Sequence, residues 1–557
     1  MRRQQKKAKY FSVGEDLFIE TPALKGGRRF SDSMSFMAAP DVLPTSSDPV
    51  FKFGRMFRRP NLPEYRPEKE GLIELGLAMR QEQDPGTNPN LPAGYTFLGQ
   101  FIDHDITFDA AIILPPDEIV PEEEVSLRSP SLDLDSLYGL NPETAKQAET
   151  HKQRYEADGI RLKVSQTQGD PAVSLEASFP NDLPRGGDPA KPQTAAIVDP
   201  RNDENLAIAQ THLAFIKFHN AVVEHLSGTV PRSKLFAAAR EKVVRHYQWI
   251  ILHDFLPKVV EKEVLDGVIE TGGQNLVFQK GEEPFVPVEF SVAAFRLGHA
   301  LITESYEWNR FFQSQPPGLE TAELRQLFTF TGFGEQTLLG QEHLLSSWII
   351  DWTRFYDFTG FPGVESNQHS STARRIAPSL IPPLMELPVI EGEADFMHSL
   401  AVRNLLRGRL FGLPAGQCVA ERLKVNQLTP EQIADGPHRK ILETYGLDKL
   451  TPLWYYILKE SEKVHQGERL GPIGSHIVAE TLVRLIKSSR VSILPRETPG
   501  KPTWEPDLGI KPKEFSMPDL LFFVHRTFES ENFLNPLGDK EEGQESVVPQ
   551  KKYAQTT

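Results

Sequence analysis

The segment from residue 204 to residue 226 constrains the fold more than any other part of the sequence, because it is apolar around most of a helix. Its apolar residues recur three, four or seven positions apart: Leu206, Ala209, Leu213, Ile216 and Val223. This period is typical of an α-helix. A helix that is apolar on most sides has little surface to give to water, so it must lie inside a core. We therefore expect a large protein built around a buried helix.

Helical periodicity dominates the rest of the chain as well. It predicts further helices at 233–255, 292–303, 342–356, 396–409 and 475–489. Strand signals are few, and the clearest is a short hairpin formed by 275–278 and 285–290 around a Lys-Gly turn. The 45 prolines cluster in the connections, which indicates long irregular loops. The predicted fold class is mainly α, with little β, in a single large helical domain.

The two ends of the chain differ from its middle. Residues 1–45 lack periodicity, and residues 535–557 are polar and charged. Such segments cannot bury enough apolar surface to order themselves. We therefore expect an N-terminal arm over 1–45, one folded domain over 46–534 and a disordered tail over 535–557.

Composition argues against several classes of protein. The chain has one cysteine, Cys418, so it can form no internal disulfide and no Cys-rich zinc site. Its net charge is −15 and its dense basic run lies at residues 2–9, which argues against a nucleic-acid partner. No apolar run reaches the ~18 residues of a membrane helix, and no secretory signal follows the basic start. We expect no membrane span and no obligatory protein partner, in a chain that is cytoplasmic or unconventionally secreted.

Residues 97–105, Phe-Leu-Gly-Gln-Phe-Ile-Asp-His-Asp, carry the densest set of reactive side chains. They place Gln100, Asp103, His104 and Asp105 on the first turns of a predicted helix. By itself, a histidine between carboxylates indicates a surface ion pair or a metal ligand. The apolar residues between them favour a buried site instead, where polar groups need partners.

Four later segments follow this one in an informative order: 132–139, 199–205, 294–302 and 403–414. Together the five resemble the signatures of animal-type haem peroxidases of the peroxidase–cyclooxygenase superfamily, which includes myeloperoxidase and the bacterial peroxicins. The resemblance extends over roughly residues 95–490. It implies haem b as cofactor and hydrogen peroxide as oxidant. It also implies small aromatic or halide electron donors, catalysis through a ferryl intermediate and a role in the response to oxidative stress.

On the distal side of the haem, the resemblance assigns catalysis to Gln100, His104 and Arg201. His104 would be the general base that takes the peroxide proton. Arg201 would stabilise the anion that develops on the leaving oxygen, although an arginine at a helix entrance is on its own more often a surface residue. Asp103 and Glu204 match the carboxylates that become ester-linked to haem in relatives, so we expect up to two covalent links.

On the proximal side, the resemblance makes His299 the iron ligand. A lone histidine on an apolar helix is otherwise more often a core residue. Arg296, one turn earlier on the same face, and Arg407 would pair with haem propionates. Asn404 would accept a hydrogen bond from the other ring nitrogen of His299 and so fix its tautomer. Gly298 removes side-chain bulk beside a flat macrocycle.

The segment 132–139, Leu-Asp-Leu-Asp-Ser-Leu-Tyr-Gly, presents alternating carboxylates. Hard oxygen ligands of this kind suit Ca²⁺, while the ordinary interpretation of the same residues is a solvated acidic turn. The resemblance implies a calcium site whose ligands are Asp105, Ser129, Ser131 (through its carbonyl), Asp133 and Asp135.

Two other functions stay open at this stage. A fatty-acid dioxygenase of the same superfamily would carry a radical-forming tyrosine three residues before the proximal histidine, where this chain has Arg296. A haem-containing adhesion or scaffold protein would not need the distal residues Gln100, His104 and Arg201, all of which are present. The sequence therefore favours a catalytic peroxidase.

Overall fold

The structure is a computed structural model. It describes residues 9–13, 16–20, 51–57, 62–108, 110–112, 120, 125–140, 149–186, 192–271, 283–315, 320–332, 337–365, 369–387, 394–495, 500 and 502–538.

Helices account for most of the regular structure in these residues. They are Lys69–Ala78 (α1), Gly94–Ile106 (α2), Asp135–Tyr138 (α3), Leu206–Leu226 (α4), Arg232–Ile250 (α5), Leu256–Val259 (α6), Lys262–Thr271 (α7), Val288–Ser291 (α8), Gly298–Leu301 (α9), Leu324–Thr329 (α10), Leu400–Leu410 (α11), Gly416–Leu423 (α12), Pro430–Ala434 (α13), Arg439–Thr444 (α14), Leu453–His465 (α15), Pro472–Ser488 (α16) and Met517–Thr527 (α17).

The strands are short. They are Lys9–Val13 (β1), Asp16–Glu20 (β2), Phe51–Gly54 (β3), Thr87–Pro92 (β4), Ala110–Ile112 (β5), Val125–Ser126 (β6), Val286–Pro287 (β7), Ser305–Tyr306 (β8), Ala322–Glu323 (β9) and Thr372–Arg374 (β10). They pair in four small sheets, ordered β1-β2-β5, β6-β3-β7, β4-β10 and β8-β9. None of these sheets has more than three strands, so the predicted mainly α fold is confirmed.

Helix α4 lies at the centre of the core, as its all-round apolar pattern predicts. Every side chain from Leu206 to Val223 is buried, and α2, α5 and α17 pack around the helix. Asn205 caps its first turn by accepting a hydrogen bond from the Ile208 N–H (2.9 Å). A 3₁₀ turn at Pro200–Asp203 leads into this cap, and its residues Arg201, Asn202 and Asp203 are also buried.

Most of the predicted helices form near their predicted limits. Segment 233–255 is α5 continued by a π-helical turn at Ile251–Phe255, and segment 475–489 is most of α16. Segment 396–409 becomes α11 after a 3₁₀ turn, because the Ser399 hydroxyl caps the helix at the Val402 N–H. Segment 292–303 is shorter and split into a 3₁₀ turn at Ala294–Leu297 and the short helix α9.

The helix predicted at 342–356 is wrong. This segment forms two separate 3₁₀ turns, Ser346–Trp348 and Trp352–Arg354, joined by extended backbone. The Asp351 carboxylate accepts a hydrogen bond from the Thr353 N–H and so starts the second turn. The apolar residues of this segment are buried throughout, so their spacing does not mark one face of a helix.

The predicted hairpin is also wrong in its second half. Of 285–290, only Val286–Pro287 is a strand, and it pairs in parallel with β3 rather than antiparallel with a neighbouring strand. The chain then turns into α8, where the buried Glu289 carboxylate accepts hydrogen bonds from the Met56 and Phe57 N–H groups. The first half, 275–278, lies outside the described residues.

The predicted end segments are described only in part. Within the arm predicted over 1–45, β1 and β2 form an antiparallel hairpin, and β2 pairs in parallel with β5. Of the tail predicted over 535–557, residues 535–538 are described. The domain boundaries stay a prediction.

The tight contact between α1 and α11 yields a test of this packing. A Cβ added at Gly76 would lie 2.6 Å from Val402 Cγ2 and 2.8 Å from its Cα, so the two helices would have to move apart. We expect Gly76→Ala to lower the free energy of unfolding by about 1–3 kcal/mol, as overpacking does. The matched control is Gly267→Ala on α7, where a Cβ meets nothing within 4 Å. Urea unfolding should show the control unchanged or stabilised by up to about 1 kcal/mol, and equal stabilities for the two variants would contradict the described packing.

Candidate active site

Helix α2 brings four of the predicted site residues into the core. His104 and Asp105 are fully buried, Asp103 is nearly so, and Gln100 is half-buried one turn before His104. The helix packs against both α4 and α9, so it lies between the segment that carries Arg201 and the segment that carries His299. The packing therefore gathers the predicted distal and proximal segments around one helix.

The imidazole of His104 is held by a residue that the sequence analysis did not single out. Its Nδ1 donates a hydrogen bond to Oδ1 of Asn202 (2.8 Å), and Asn202 is itself completely buried. The amide nitrogen of Asn202 then donates to Nδ1 of His212 on α4 (2.9 Å). The position of Asn202 beside Arg201 in the 199–205 segment was the signal available in the sequence.

A second group of polar side chains lies on the other nitrogen of the same ring. Oε1 of Glu204 is 4.0 Å from Nε2 of His104 and accepts a hydrogen bond from Nε2 of Gln100 (2.6 Å). Asn205 in turn donates to Oε1 of Gln100 (3.2 Å). The structure therefore brings Gln100, His104 and Glu204 together, as predicted.

Arg201 is buried close to this group, but its guanidinium is tied to a counter-ion that the sequence analysis did not anticipate. Nε and Nη2 bind the Asp199 carboxylate at 3.1 and 2.8 Å, and Nη2 also donates to the carbonyls of His104 (3.1 Å) and Thr107 (2.5 Å). The sequence analysis placed Arg201 over the haem and predicted none of these contacts. These bonds fix Arg201 to the end of α2.

Asp199 carries a second guanidinium as well. Nη2 of Arg128 binds the same carboxylate at 2.6 Å, and Nε of Arg128 donates to the His104 carbonyl (3.3 Å). Burial alone would raise the pKa of Asp199, but the charges of Arg201 and Arg128 hold that pKa well below its usual range. The carboxylate is therefore ionised at neutral pH, and Asp199, Arg201 and Arg128 together carry a net positive charge.

The proximal segment places His299 against α11. The imidazole is 4% exposed, and Nδ2 of Asn404 lies 2.8 Å from its Nδ1. An amide Nδ2 can only donate, so Asn404 here donates to His299, the reverse of the expected direction. A half-turn of the amide about its Cβ–Cγ bond would exchange Nδ2 and Oδ1 and give the tautomer whose Nε2 binds iron.

The two arginines predicted to meet propionates lie on either side of this histidine in the sequence. Nε of Arg296 donates to the Ser291 carbonyl (2.9 Å), and the Arg296 carbonyl accepts from the Trp454 indole (3.4 Å). Arg407 is half-buried, with its guanidinium carbon 5.3 Å from the centre of the Phe411 ring. Arg296 precedes His299 by three residues, and Arg407 lies three residues after Asn404 on α11.

The predicted calcium ligands do lie together, in a buried loop rather than a solvated acidic turn. The Asp135 carboxylate accepts from the Ser129 hydroxyl and N–H, and the Asp133 carboxylate accepts from the Ser131 hydroxyl (2.8 Å). Asp105 accepts instead from backbone N–H groups that belong to the same loop. Burial, reinforced by the charge of Asp135, raises the pKa of Asp105 to about 8, and burial also raises the pKa of Asp135.

A metal centre is not formed by these side chains as they stand. Within the part of the chain that the structure describes, no three His, Cys, Asp or Glu side chains converge as they would around a metal ion. The carboxylates are engaged by neighbouring hydroxyl and amide groups, including the Ser489 hydroxyl on Asp133 (2.5 Å).

The residues present fit a haem group. His104 and His299 are buried imidazoles on two helices in contact, and each has its Nδ1 held by an asparagine. Nε2 is therefore the ring nitrogen left for a ligand, on the proximal side once the Asn404 amide has turned. A Cβ placed on Gly298 would meet no atom within 4 Å, so there is open space beside the proximal histidine. A nitrogen donor with space next to it is what an iron macrocycle requires.

No helix in the described ranges is both long and apolar enough to cross a membrane.

Comparison with known proteins identifies the family. A sequence profile of the animal haem peroxidases matches residues 114–492, a range that begins after His104. Thyroid peroxidase of Mus musculus is 24% identical over 394 residues, which are 66% of this chain and 39% of that protein. Dual oxidase of Drosophila melanogaster is 25% identical over 224 residues, 39% of this chain and 12% of that protein. The matches thus span well under half the length of these relatives.

Solved structures share the fold. Peroxidase A from Dictyostelium discoideum superposes with a TM-score of 0.55 and 16% identity, covering 81% of this chain and 89% of that chain. A fatty acid alpha-dioxygenase from Oryza sativa with palmitic acid gives a TM-score of 0.50 at 13% identity, covering 79% and 76%. Because the family profile covers most of the chain, this protein belongs to the animal haem peroxidase family.

Proposed function

We propose that this protein is a peroxidase that binds haem b between His104 and His299, reduces hydrogen peroxide and oxidises small aromatic or halide donors. One observation carries the proposal. The fold presents two buried histidines on contacting helices, each anchored through Nδ1 by an asparagine. When bound, the haem would supply the redox chemistry that couples the reduction of peroxide to the oxidation of donors.

His104 moves the proton in this proposal. Its Nδ1–H is donated to Asn202, so the lone pair lies on Nε2. Nε2 can take the proton from one peroxide oxygen and return it to the other, which leaves as water. Such a positioned base contributes typically ~10²–10⁴-fold to the rate. Gln100, bonded to Glu204 next to that nitrogen, would order the peroxide.

Arg201 contributes in two ways. It ties the carbonyl end of α2 to Asp199 and so holds His104 in place. Its charge also reaches the distal carboxylates: burial lowers its pKa, but Asp199, Asp103 and Glu204 raise it above the usual value. A fixed buried cation of this kind would stabilise negative charge on a leaving oxygen.

The remaining haem contacts follow from the family. Arg296 in the proximal segment and Arg407 on α11 would pair with the propionates. Asp103 and Glu204 would form up to two ester links, and Glu204 already lies beside Gln100 and His104. Asn404, with its amide turned, would hold the Nδ1–H of His299 and leave Nε2 for iron.

We further propose that the buried loop binds calcium through Asp105, Ser129, the Ser131 carbonyl, Asp133 and Asp135. All five residues are at most 7% exposed. Three carboxylates this deeply buried are costly without a counter-charge, and a hard dication suits their oxygens. Binding would require the carboxylates to turn from the hydroxyl and amide groups that they now accept from.

The dioxygenase alternative is weaker in this chain. Its radical-forming tyrosine would occupy the position of Arg296, whose side chain instead donates to the Ser291 carbonyl. The shared fold with a fatty acid alpha-dioxygenase does not supply that tyrosine.

The role of His104 is tested by His104→Leu. We expect the variant to bind haem as the wild type does but to react with hydrogen peroxide at least ~10²-fold more slowly, because a positioned general base is lost. Stopped-flow absorbance and donor oxidation measure both rates. The control is His465→Leu, which removes a half-buried histidine bound to Glu261. A wild-type rate in His104→Leu would exclude His104 as the base.

The buried ion pair is tested by Asp199→Asn. This change leaves Arg201 and Arg128 without their counter-charge, so we expect the free energy of unfolding to fall by about 3–5 kcal/mol. The control is Asp507→Asn, which breaks an exposed pair with Lys242 that is worth at most about 1 kcal/mol. Urea unfolding of both variants decides it. An equal loss of unfolding free energy in the two variants would show that the bonds of Asp199 to Arg201 and Arg128 do not hold α2 in place.

Calcium binding is tested by metal analysis of the purified protein. We expect about one calcium per chain, and exhaustive chelation should lower the melting temperature as the three buried carboxylates lose their cation. Asp133→Asn should reduce the calcium content, whereas Asp158→Asn, in a turn on the surface, should not. A protein isolated without calcium, and unaffected by chelation, would contradict this part of the proposal.

A further inference from the structure

We propose that His104, Asn202 and His212 form a directional chain of hydrogen bonds, in which Asn202 is a positioning residue and a neutral His212 accepts the last bond. The chain fixes the proton of His104 on Nδ1 and its lone pair on Nε2. The consequence for catalysis rests on the proposed function of His104 as a base, whereas the chain itself does not.

The geometry leaves little freedom for the three side chains. Nδ1 of His104 is 2.8 Å from Oδ1 of Asn202, and Nδ2 of Asn202 is 2.9 Å from Nδ1 of His212. The three residues are between 0 and 1% exposed. Polar groups buried this deeply need partners, and these three side chains supply them to one another.

The direction of the chain follows from the chemistry of the amide. One side of an amide only accepts and the other only donates. With Oδ1 towards His104, that ring must carry its proton on Nδ1. With Nδ2 towards His212, that ring must offer a lone pair at Nδ1 and carry its proton on Nε2. Reversing one bond therefore reverses the other.

His212 can accept this hydrogen bond only while it is neutral. Burial lowers its pKa to about 3, the charges of His104 and Arg154 act in the same sense, and Asp199 opposes them. The edge of the Phe101 ring closes one side, with the ring centres 5.8 Å apart. A protonated His212 would present an N–H to Nδ2 of Asn202 and force the amide to turn.

The Glu204 carboxylate near His104 acts against this tautomer. Glu204 lies 4.0 Å from Nε2, and the carboxylate of Asp199 interacts with the same ring. The Glu204 carboxylate can only accept a hydrogen bond, so it would favour the neutral tautomer with its N–H at Nε2, in which the lone pair needed by a base is lost. The bond to Asn202 keeps the neutral ring in the useful tautomer, which is the role that we assign to this residue.

The first test reads the tautomer directly and needs no catalysis. Ring-¹⁵N histidine shifts are measured in the full-length chain in a diamagnetic state, either without haem or reduced and bound to carbon monoxide. We expect the His104 signals of the wild type and Asn202→Asp to report Nδ1–H, and those of Asn202→Leu to shift towards Nε2–H. A wild-type His104 protonated on Nε2, or an Asn202→Leu spectrum identical to wild type, overturns the chain even if the protein is a peroxidase.

The second test measures how the loss of the Asn202 hydrogen bond affects His104 as a base. Cyanide binds haem iron as an anion after hydrogen cyanide has given its proton to a distal base, so its association rate follows that base across pH. We expect Asn202→Leu to lower this rate at neutral pH by at least about tenfold, within the range of general base effects, at an unchanged haem content. Asn202→Asp should restore it with a pH profile shifted upwards, because a carboxylate accepts more strongly.

The control variant is His219→Gln, seven residues further along α4. His219 is buried like His212, but it binds Tyr138 and the Ile160 carbonyl instead. The His219→Gln variant should leave the pH profile of the cyanide association rate unchanged. A profile of Asn202→Leu that superimposes on the wild type contradicts the positioning role. A wild type that holds its tautomer but fails to react with peroxide contradicts the proposed function and leaves the chain intact.

Discussion

The buried ion pair between Asp199 and Arg201 is the interaction on which the distal side depends. Arg201 joins two separate parts of the chain, because its guanidinium binds Asp199 in the turn that precedes α4 and two carbonyls at the end of α2. Arg128 adds the loop that follows β6 through the same carboxylate. The side chain of Phe108 lies between the two guanidiniums, 4.4 and 4.7 Å from their carbons. Because both arginines bind the same carboxylate, a shift of any one of these segments would displace the others.

The same arrangement recurs in simpler form on the proximal side. Each histidine is held through Nδ1 by a buried asparagine from a different segment, Asn202 on the distal side and Asn404 on the proximal side. Holding one nitrogen fixes the ring plane and sets the chemistry of the other. On the distal side the amide oxygen faces the ring, which suits a base, while the proximal amide would have to turn before iron could bind.

The sequence predicted the elements that bury a periodic face, and it did less well where single contacts decide the structure. Helix α4 and the burial of His104 follow from apolar spacing, whereas segment 342–356 also has a spacing that predicts a helix but starts a separate turn at the Asp351 cap. The predicted distal residues do come together. The roles of their partners Asp199, Asn202 and His212 were missed, because a hydrogen bond between single side chains leaves no periodic signal in the sequence. The resemblance to haem peroxidases located the residues, but not the hydrogen bonds that set their protonation.

The measurement that tests this account most directly is the visible absorption spectrum of the purified full-length chain, paired with a haem assay. The account predicts a Soret band and about one haem per chain in the wild type, with both lost or strongly altered in His299→Ala. The spectrum of the wild type should also change on addition of hydrogen peroxide and return when a donor is added. A chain that takes up no haem, or a His299→Ala variant with the same haem content and Soret band as the wild type, would contradict it.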